Sequence, residues 1–149
     1  MKGFPDLPPL WLAGFCVLTW GFATEIPIAY FGGPLLQVIG AFCSLAGLSL
    51  IAWSAIWFAR KKTTIEPHED PETLIVEGPY RLSRNPIYLG MVAILLGLVL
   101  WYGAVSPIVL PGIFVAVLTL RFILPEEARL HAAFGPAADQ YFARTRRWL

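Results

Sequence analysis

The sequence has 149 residues and a formal net charge of +1, which gives no electrostatic basis for binding nucleic acid. Hydrophobic residues make up 57% of it and charged residues 14%, against roughly 25% charged in soluble domains. That leaves too little polar surface to cover a globule in water, so the composition excludes an ordinary soluble domain and fits a chain dissolved in a bilayer.

The N-terminus, Met1-Lys2-Gly3-Phe4-Pro5-Asp6, lacks the charged region and small-residue cleavage pattern of a signal peptide. The first apolar run is therefore expected to stay in the mature protein. That run covers residues 10–30, with Pro27 ending or kinking it. A second covers 34–59 and is the clearest span in the chain. A third, short for a span, covers 86–102, and a fourth covers 107–124. Only residues 103–106 separate the last two, which predicts a tight helical hairpin. The spacing thus predicts an all-α integral membrane protein with about four transmembrane helices, built as one domain over 1–149.

Two polar segments complete the chain. The loop 60–85 carries a short apolar patch, Leu74-Ile75-Val76. The tail 125–149 is predicted as one or two short helices. Pro125 suits a helix start, which places Glu126 and Glu127 in a first turn, where acids complement the helix dipole. Gly135-Pro136 reads as a stop followed by a restart. Leu130, Phe134, Tyr141, Phe142 and Trp148 give the tail an apolar side to rest on the membrane face.

The basic residues fall on one side of this arrangement. Lys2 precedes the first span; Arg60, Lys61, Lys62, Arg81 and Arg84 lie between the second and third; Arg129, Arg144, Arg146 and Arg147 follow the fourth. The opposite turns, 25–33 and 103–106, carry no Lys or Arg. The positive-inside rule then predicts that both termini and the central loop face the cytoplasm.

Cys16 and Cys43 lie in apolar runs, where cysteine behaves as a small hydrophobe. His68, in a charged loop, and His131, in the tail, have no Cys or second His at ligand spacing, so no metal site is expected. A phosphate-binding glycine loop is absent, and the chain has no room for a doubly wound sheet.

The densest polar chemistry lies at the predicted membrane boundary. It comprises Gly78-Pro79-Tyr80-Arg81, then Arg84-Asn85-Pro86-Ile87-Tyr88-Leu89-Gly90, then Arg121 with Glu126-Glu127. Arg84-Asn85-Pro86 fits a helix N-terminus, with Asn85 as cap, Pro86 at the first position and Arg84 reaching for headgroups. That reading leaves Tyr88 and Gly90 unexplained, because glycine weakens a helix unless something approaches the backbone closely. Arg121 lies inside an apolar run, where a charge is expensive. It fits an ion pair, with Glu126 and Glu127 as natural partners, a side chain snorkelling to headgroups, or a polar pocket open to the cytoplasm.

This ordered set resembles the isoprenylcysteine carboxyl methyltransferase and phospholipid methyltransferase superfamily. The resemblance runs over residues 63–149 and continues through Glu126-Glu127-Ala128-Arg129-Leu130, Phe134-Gly135, Tyr141 and Arg146-Arg147-Trp148. Thr64-Ile65-Glu66-Pro67 looks like the bacterial members, which implies a bacterial inner membrane. The resemblance implies S-adenosylmethionine as cofactor and a lipophilic methyl acceptor that enters from the bilayer. It implies Tyr80, Asn85, Pro86, Tyr88, Gly90, Glu126 and Glu127 as cofactor-binding residues. Arg84, Arg121 and Glu127 are the implied catalytic residues. Asn85 departs from the histidine of eukaryotic members; an amide hydrogen-bonds but does not titrate. Two other functions fit a similar pattern: an NADPH-dependent sterol-type reductase and a non-catalytic membrane subunit.

Overall fold

The computed structural model describes residues 6–61 and 74–149. The readings made at Lys2, Lys62, residues 64–67 and His68 lie outside the described residues.

Helix α1 spans Pro8–Glu25, α2 Pro34–Lys61 and α3 Pro86–Tyr102. A 3-10 turn, Ser106–Val109, leads into α4, Leu110–Leu118, which passes through a π-helical turn, Thr119–Ile123, into α5, Leu124–Phe134. Helix α6 spans Pro136–Arg144, and a further 3-10 turn, Gly78–Arg81, precedes α3. No strand occurs among the described residues. Helices α1, α3 and α6 each carry proline in their first two positions, where its missing N–H removes no helical hydrogen bond.

The first helix is shorter than the apolar run. It stops at Glu25, because Pro27 disfavours helical backbone at the residue before it. The chain beyond folds onto the α3–α4 turn. Phe31 and Gly32 donate their N–H groups to the Gly103 carbonyl at 2.8 and 3.2 Å, and Val105 donates to Ala29 at 2.9 Å. These bonds satisfy loop backbone that would otherwise lack partners. They also place both turns at one end of the bundle, so the helices run up, down, up, down.

Helix α3 lies at the centre. On one side it meets α2 along a seam of close backbone contacts at small residues. Gly40, Gly47 and Ser54 are buried at seven-residue intervals on α2, with Gly40 facing Gly97 and Gly47 facing Gly90 of α3. A methyl group on Gly47 would sit 2.5 Å from the Gly90 carbonyl oxygen. Cys43 donates to the Ala93 carbonyl at 3.3 Å, and Ser44 to that of Ile94 at 3.4 Å. Small residues and such hydrogen bonds are how apolar helices associate where lipid offers no hydrophobic gain. The face of α2 away from this seam points outward, with Leu35, Val38, Phe42 and Leu45 exposed.

On its other side α3 meets α1 and α4. Phe15, Tyr88, Met91, Val92, Leu95, Leu110, Phe114, Leu118 and Phe122 form the main core. Pro34–Arg60 and Ser106–Phe134 are long and apolar enough to cross a membrane; Pro86–Tyr102 is apolar but shorter.

The last stretch differs from expectation. The tail does not begin with a fresh helix at Pro125; the helix is continuous over Ser106–Phe134. Proline inside a helix has no N–H for the carbonyl four residues back, and its ring crowds that carbonyl. Here that carbonyl belongs to Arg121, and the π-helical turn Thr119–Ile123 widens the helix there. Glu126 and Glu127 consequently lie within a long helix, so the expected first-turn dipole does not act on them. The restart at Gly135-Pro136 is present: α5 ends at Phe134, Gly135 has φ +49°, and α6 opens on Pro136.

Candidate functional site

The polar residues gather at the end of the bundle away from the paired turns, where α3 begins, α5 leaves the core and the C-terminal residues return. Gly78 opens this region with φ +60°, and the Trp57 indole occupies the place where its side chain would be. Only glycine fits both conditions. The turn presses Tyr80 against Phe58, with ring centroids 5.7 Å apart at 75°, and Tyr141 donates its hydroxyl to the Tyr80 carbonyl at 2.8 Å. The Tyr80 hydroxyl is buried and has no hydrogen-bond partner. Burial, then the neighbouring Tyr141 and Glu126, raise its pKa above the ordinary phenol value, so it remains a neutral donor.

Residues 83–85 are tied to the end of the chain. Arg84 donates its backbone N–H to the Arg146 carbonyl at 2.9 Å. The Asn85 amide and the Ser83 hydroxyl both donate to the Arg147 carbonyl, at 2.9 and 3.2 Å. Asn85 stands at the N-cap of α3, yet its side chain makes no capping bond. Pro86 fills the first helical position and is fully buried.

Two carboxylates face this segment. Tyr88, one turn into α3, donates its hydroxyl to Glu126 at 2.5 Å. Glu127 is clasped by two guanidinium groups. Arg84 approaches it at 2.9 Å, and Arg147 binds both of its oxygens, Nε at 3.0 Å and Nη2 at 2.6 Å. The Arg84 side chain is 15% exposed and that of Glu127 13%, so the pair is largely withdrawn from solvent. The Arg84 guanidinium also lies 4.7 Å from the Phe142 ring centroid, while its Nε is buried without a partner.

The structure thus brings together Tyr80, Arg84, Asn85, Tyr88, Glu126 and Glu127, with Pro86 beneath them. Two expected residues are elsewhere. Gly90 faces α2: a Cβ there would meet the Gly47 carbonyl oxygen and Ile51, both at 2.6 Å. The close approach inferred for this glycine is that of a neighbouring helix. Arg121 does not pair with Glu126 or Glu127. Its Nε donates to both Asp6 oxygens, at 2.9 and 2.8 Å, and its guanidinium lies 5.5 Å from the Trp11 ring, whose Nε1 also binds Asp6. The Arg121 side chain is 53% exposed, so its charge stays in contact with the surroundings of the bundle. The expected tail–membrane contact also differs, since Tyr141 packs beside Ile75 and Tyr80, and Trp148 against the main core.

Sequence reasoning missed Arg147 as a partner of Glu127; the only signal was its place in the basic, Trp-containing end. It also missed Asp6, which no local pattern connects to Arg121.

Apolar helices closing over a buried set of tyrosines, carboxylates and guanidiniums define a membrane protein with a polar site at one end of its bundle. A family model described as phospholipid methyltransferase matches residues 35–137, more than half of the chain, and the chain belongs to that family. It is an integral membrane protein of the methyltransferase class. The match starts earlier than the motifs suggested, taking in α2, and ends before Tyr141 and Arg147. No curated protein and no solved structure matches the chain.

Proposed function

We propose that this protein transfers a methyl group from S-adenosylmethionine to a lipophilic acceptor at the cytoplasmic face of the membrane. The observation that carries the reading is the pair of buried, unpartnered donors, Tyr80 Oη and Arg84 Nε, beside Glu126 and Glu127. A buried polar group without a partner costs about 1–3 kcal/mol, and a bound polar ligand removes that cost. The residues fit the cofactor. Glu126 suits its amine, ribose hydroxyls or sulfonium charge, while Arg84 and Tyr80 suit its carboxylate and other acceptors.

When bound, the cofactor supplies a methyl group already activated on a sulfonium. The chain's task is then placement and exclusion of water. Tyr88 fixes Glu126, Arg84 and Arg147 fix Glu127, and the core around Phe122 and Leu118 walls the site from below. A carboxylate or thiolate acceptor reacts in this setting without a general base. An amine or hydroxyl acceptor must lose a proton. An acceptor dissolved in the bilayer reaches the site sideways between apolar helices.

Four spans with both termini in the cytoplasm fit the one-sided Lys and Arg distribution. At 1.5 Å per residue, α1 and α3, with 18 and 17 residues, are about 27 and 26 Å long. Each comes close to a hydrocarbon thickness of about 30 Å.

Titrating the detergent-purified protein with S-adenosylhomocysteine and with NADPH tests the reading. Saturable binding of the first and none of the second is expected. Binding of NADPH alone favours a reductase, and binding of neither refutes the cofactor assignment.

A further inference from the structure

The C-terminal residues meet the site at two points that belong to one residue. The Arg147 carbonyl accepts from the Asn85 amide and the Ser83 hydroxyl, and its guanidinium binds both Glu127 oxygens. Arg147 is thus held by its main chain from the start of α3 and by its side chain from α5. Around it, Arg146 accepts from the Arg84 N–H, Thr145 is buried and Trp148 packs on the core. Helix α6 ends at Arg144, and its last hydrogen bond runs from the Thr145 N–H to the Tyr141 carbonyl at 3.0 Å, so Arg146 and Arg147 lie beyond the helix. The tethers to residues 83–85 and to Glu127 fix Arg147 there.

From this geometry we infer that Arg147 is a positioning residue for the proposed cofactor site and that Asn85 is its tether. The inference rests on the methyl-transfer reading and extends it to the tail. A carboxylate held from two sides keeps its oxygens fixed. Held by Arg84 alone, at a single contact of 2.9 Å, Glu127 is free to rotate away from the ligand. The Arg147 clasp is bidentate, the stronger and more directional form. Asn85 secures the backbone from which that clasp reaches. Its role is donation to a carbonyl, which a neutral histidine N–H also performs and a leucine does not. No proton transfer is required at position 85.

Full-length protein in detergent carries the test, with S-adenosylhomocysteine as the probe and trypsin as an independent reporter. Arg144 and Arg146 are exposed and lie next to the tethered residue. Asn85→Leu is expected to weaken probe binding about tenfold, a difference of about 1.4 kcal/mol, and to speed cleavage at these arginines in the absence of ligand. Asn85→His is expected to restore both to within about twofold, which a merely space-filling role would not do. Arg147→Ala is expected to weaken binding to a similar degree while the gel-filtration profile is unchanged. If Asn85→Leu and Arg147→Ala bind the probe as the unaltered protein does, the inference is overturned and the cofactor reading stands. If the unaltered protein fails to bind the probe, the cofactor reading falls. Unchanged trypsin cleavage in Asn85→Leu then overturns the tether as well.

Discussion

Removing the Tyr88 hydroxyl is the most economical perturbation of the site, because Tyr88→Phe keeps the ring that packs in the main core. The hydroxyl is lost from a 2.5 Å bond to Glu126, and Tyr88 is 7% exposed, so water cannot fully replace it. Hydrogen bonds to charged groups contribute about 1.5–3 kcal/mol in soluble proteins. Membrane helices give smaller values, up to about 1.7 kcal/mol, so a coupling of about 1–1.5 kcal/mol is expected here. A double-mutant cycle isolates it. Thermal stability and S-adenosylhomocysteine affinity are measured for the unaltered protein, Tyr88→Phe, Glu126→Gln and the double variant. The double variant is expected to be less impaired than the sum of the singles by that coupling energy. Effects that add to within about 0.3–0.5 kcal/mol would show that hydroxyl and carboxylate act independently, and the paired site would be refuted.

Glu127→Gln leaves Arg84 and Arg147 facing each other without a carboxylate between them, and is expected to weaken S-adenosylhomocysteine binding at least tenfold by calorimetry. Gly47→Ala and Gly90→Ala force α2 and α3 apart, and each is expected to cost about 1–3 kcal/mol in a thermal melt. Gly14→Ala, inside α1 with nothing within 4 Å of the added carbon, is expected to raise the melt slightly, by up to about 1 kcal/mol of stability. Asp6→Asn and Arg121→Ala are each expected to destabilise by under about 1 kcal/mol, because the Arg121 side chain is 53% exposed. A double variant worse than either single would show that the two act separately.

Much of the helical framework is legible in the sequence, for reasons of local chemistry. Pro8, Pro86 and Pro136 sit at helix starts because proline is harmless there, and the run at 86–102 coincides with α3. The polar motifs gather as a cluster because they flank a hairpin that closes on itself. Other features depend on distance. Arg121 finds Asp6 across 115 residues, and no spacing rule predicts such a partner. Taken alone, Gly90 suits the close approach of a ligand; taken with Gly40, Gly47 and Gly97, its seven-residue interval marks a helix seam. Local rules favour Pro125 as a helix start. The π-helical turn at Thr119–Ile123 precedes that proline in a helix that continues through it, and Glu126 and Glu127 lie on this helix facing Tyr88 and Arg84.

Membranes containing the protein, incubated with methyl-labelled S-adenosylmethionine and then extracted with organic solvent, test methyl transfer to a lipophilic acceptor directly. Label is predicted in the lipid-soluble fraction, lost with excess S-adenosylhomocysteine and lost in Glu127→Gln. Label no higher than in membranes lacking the protein, or confined to water-soluble products, would contradict it.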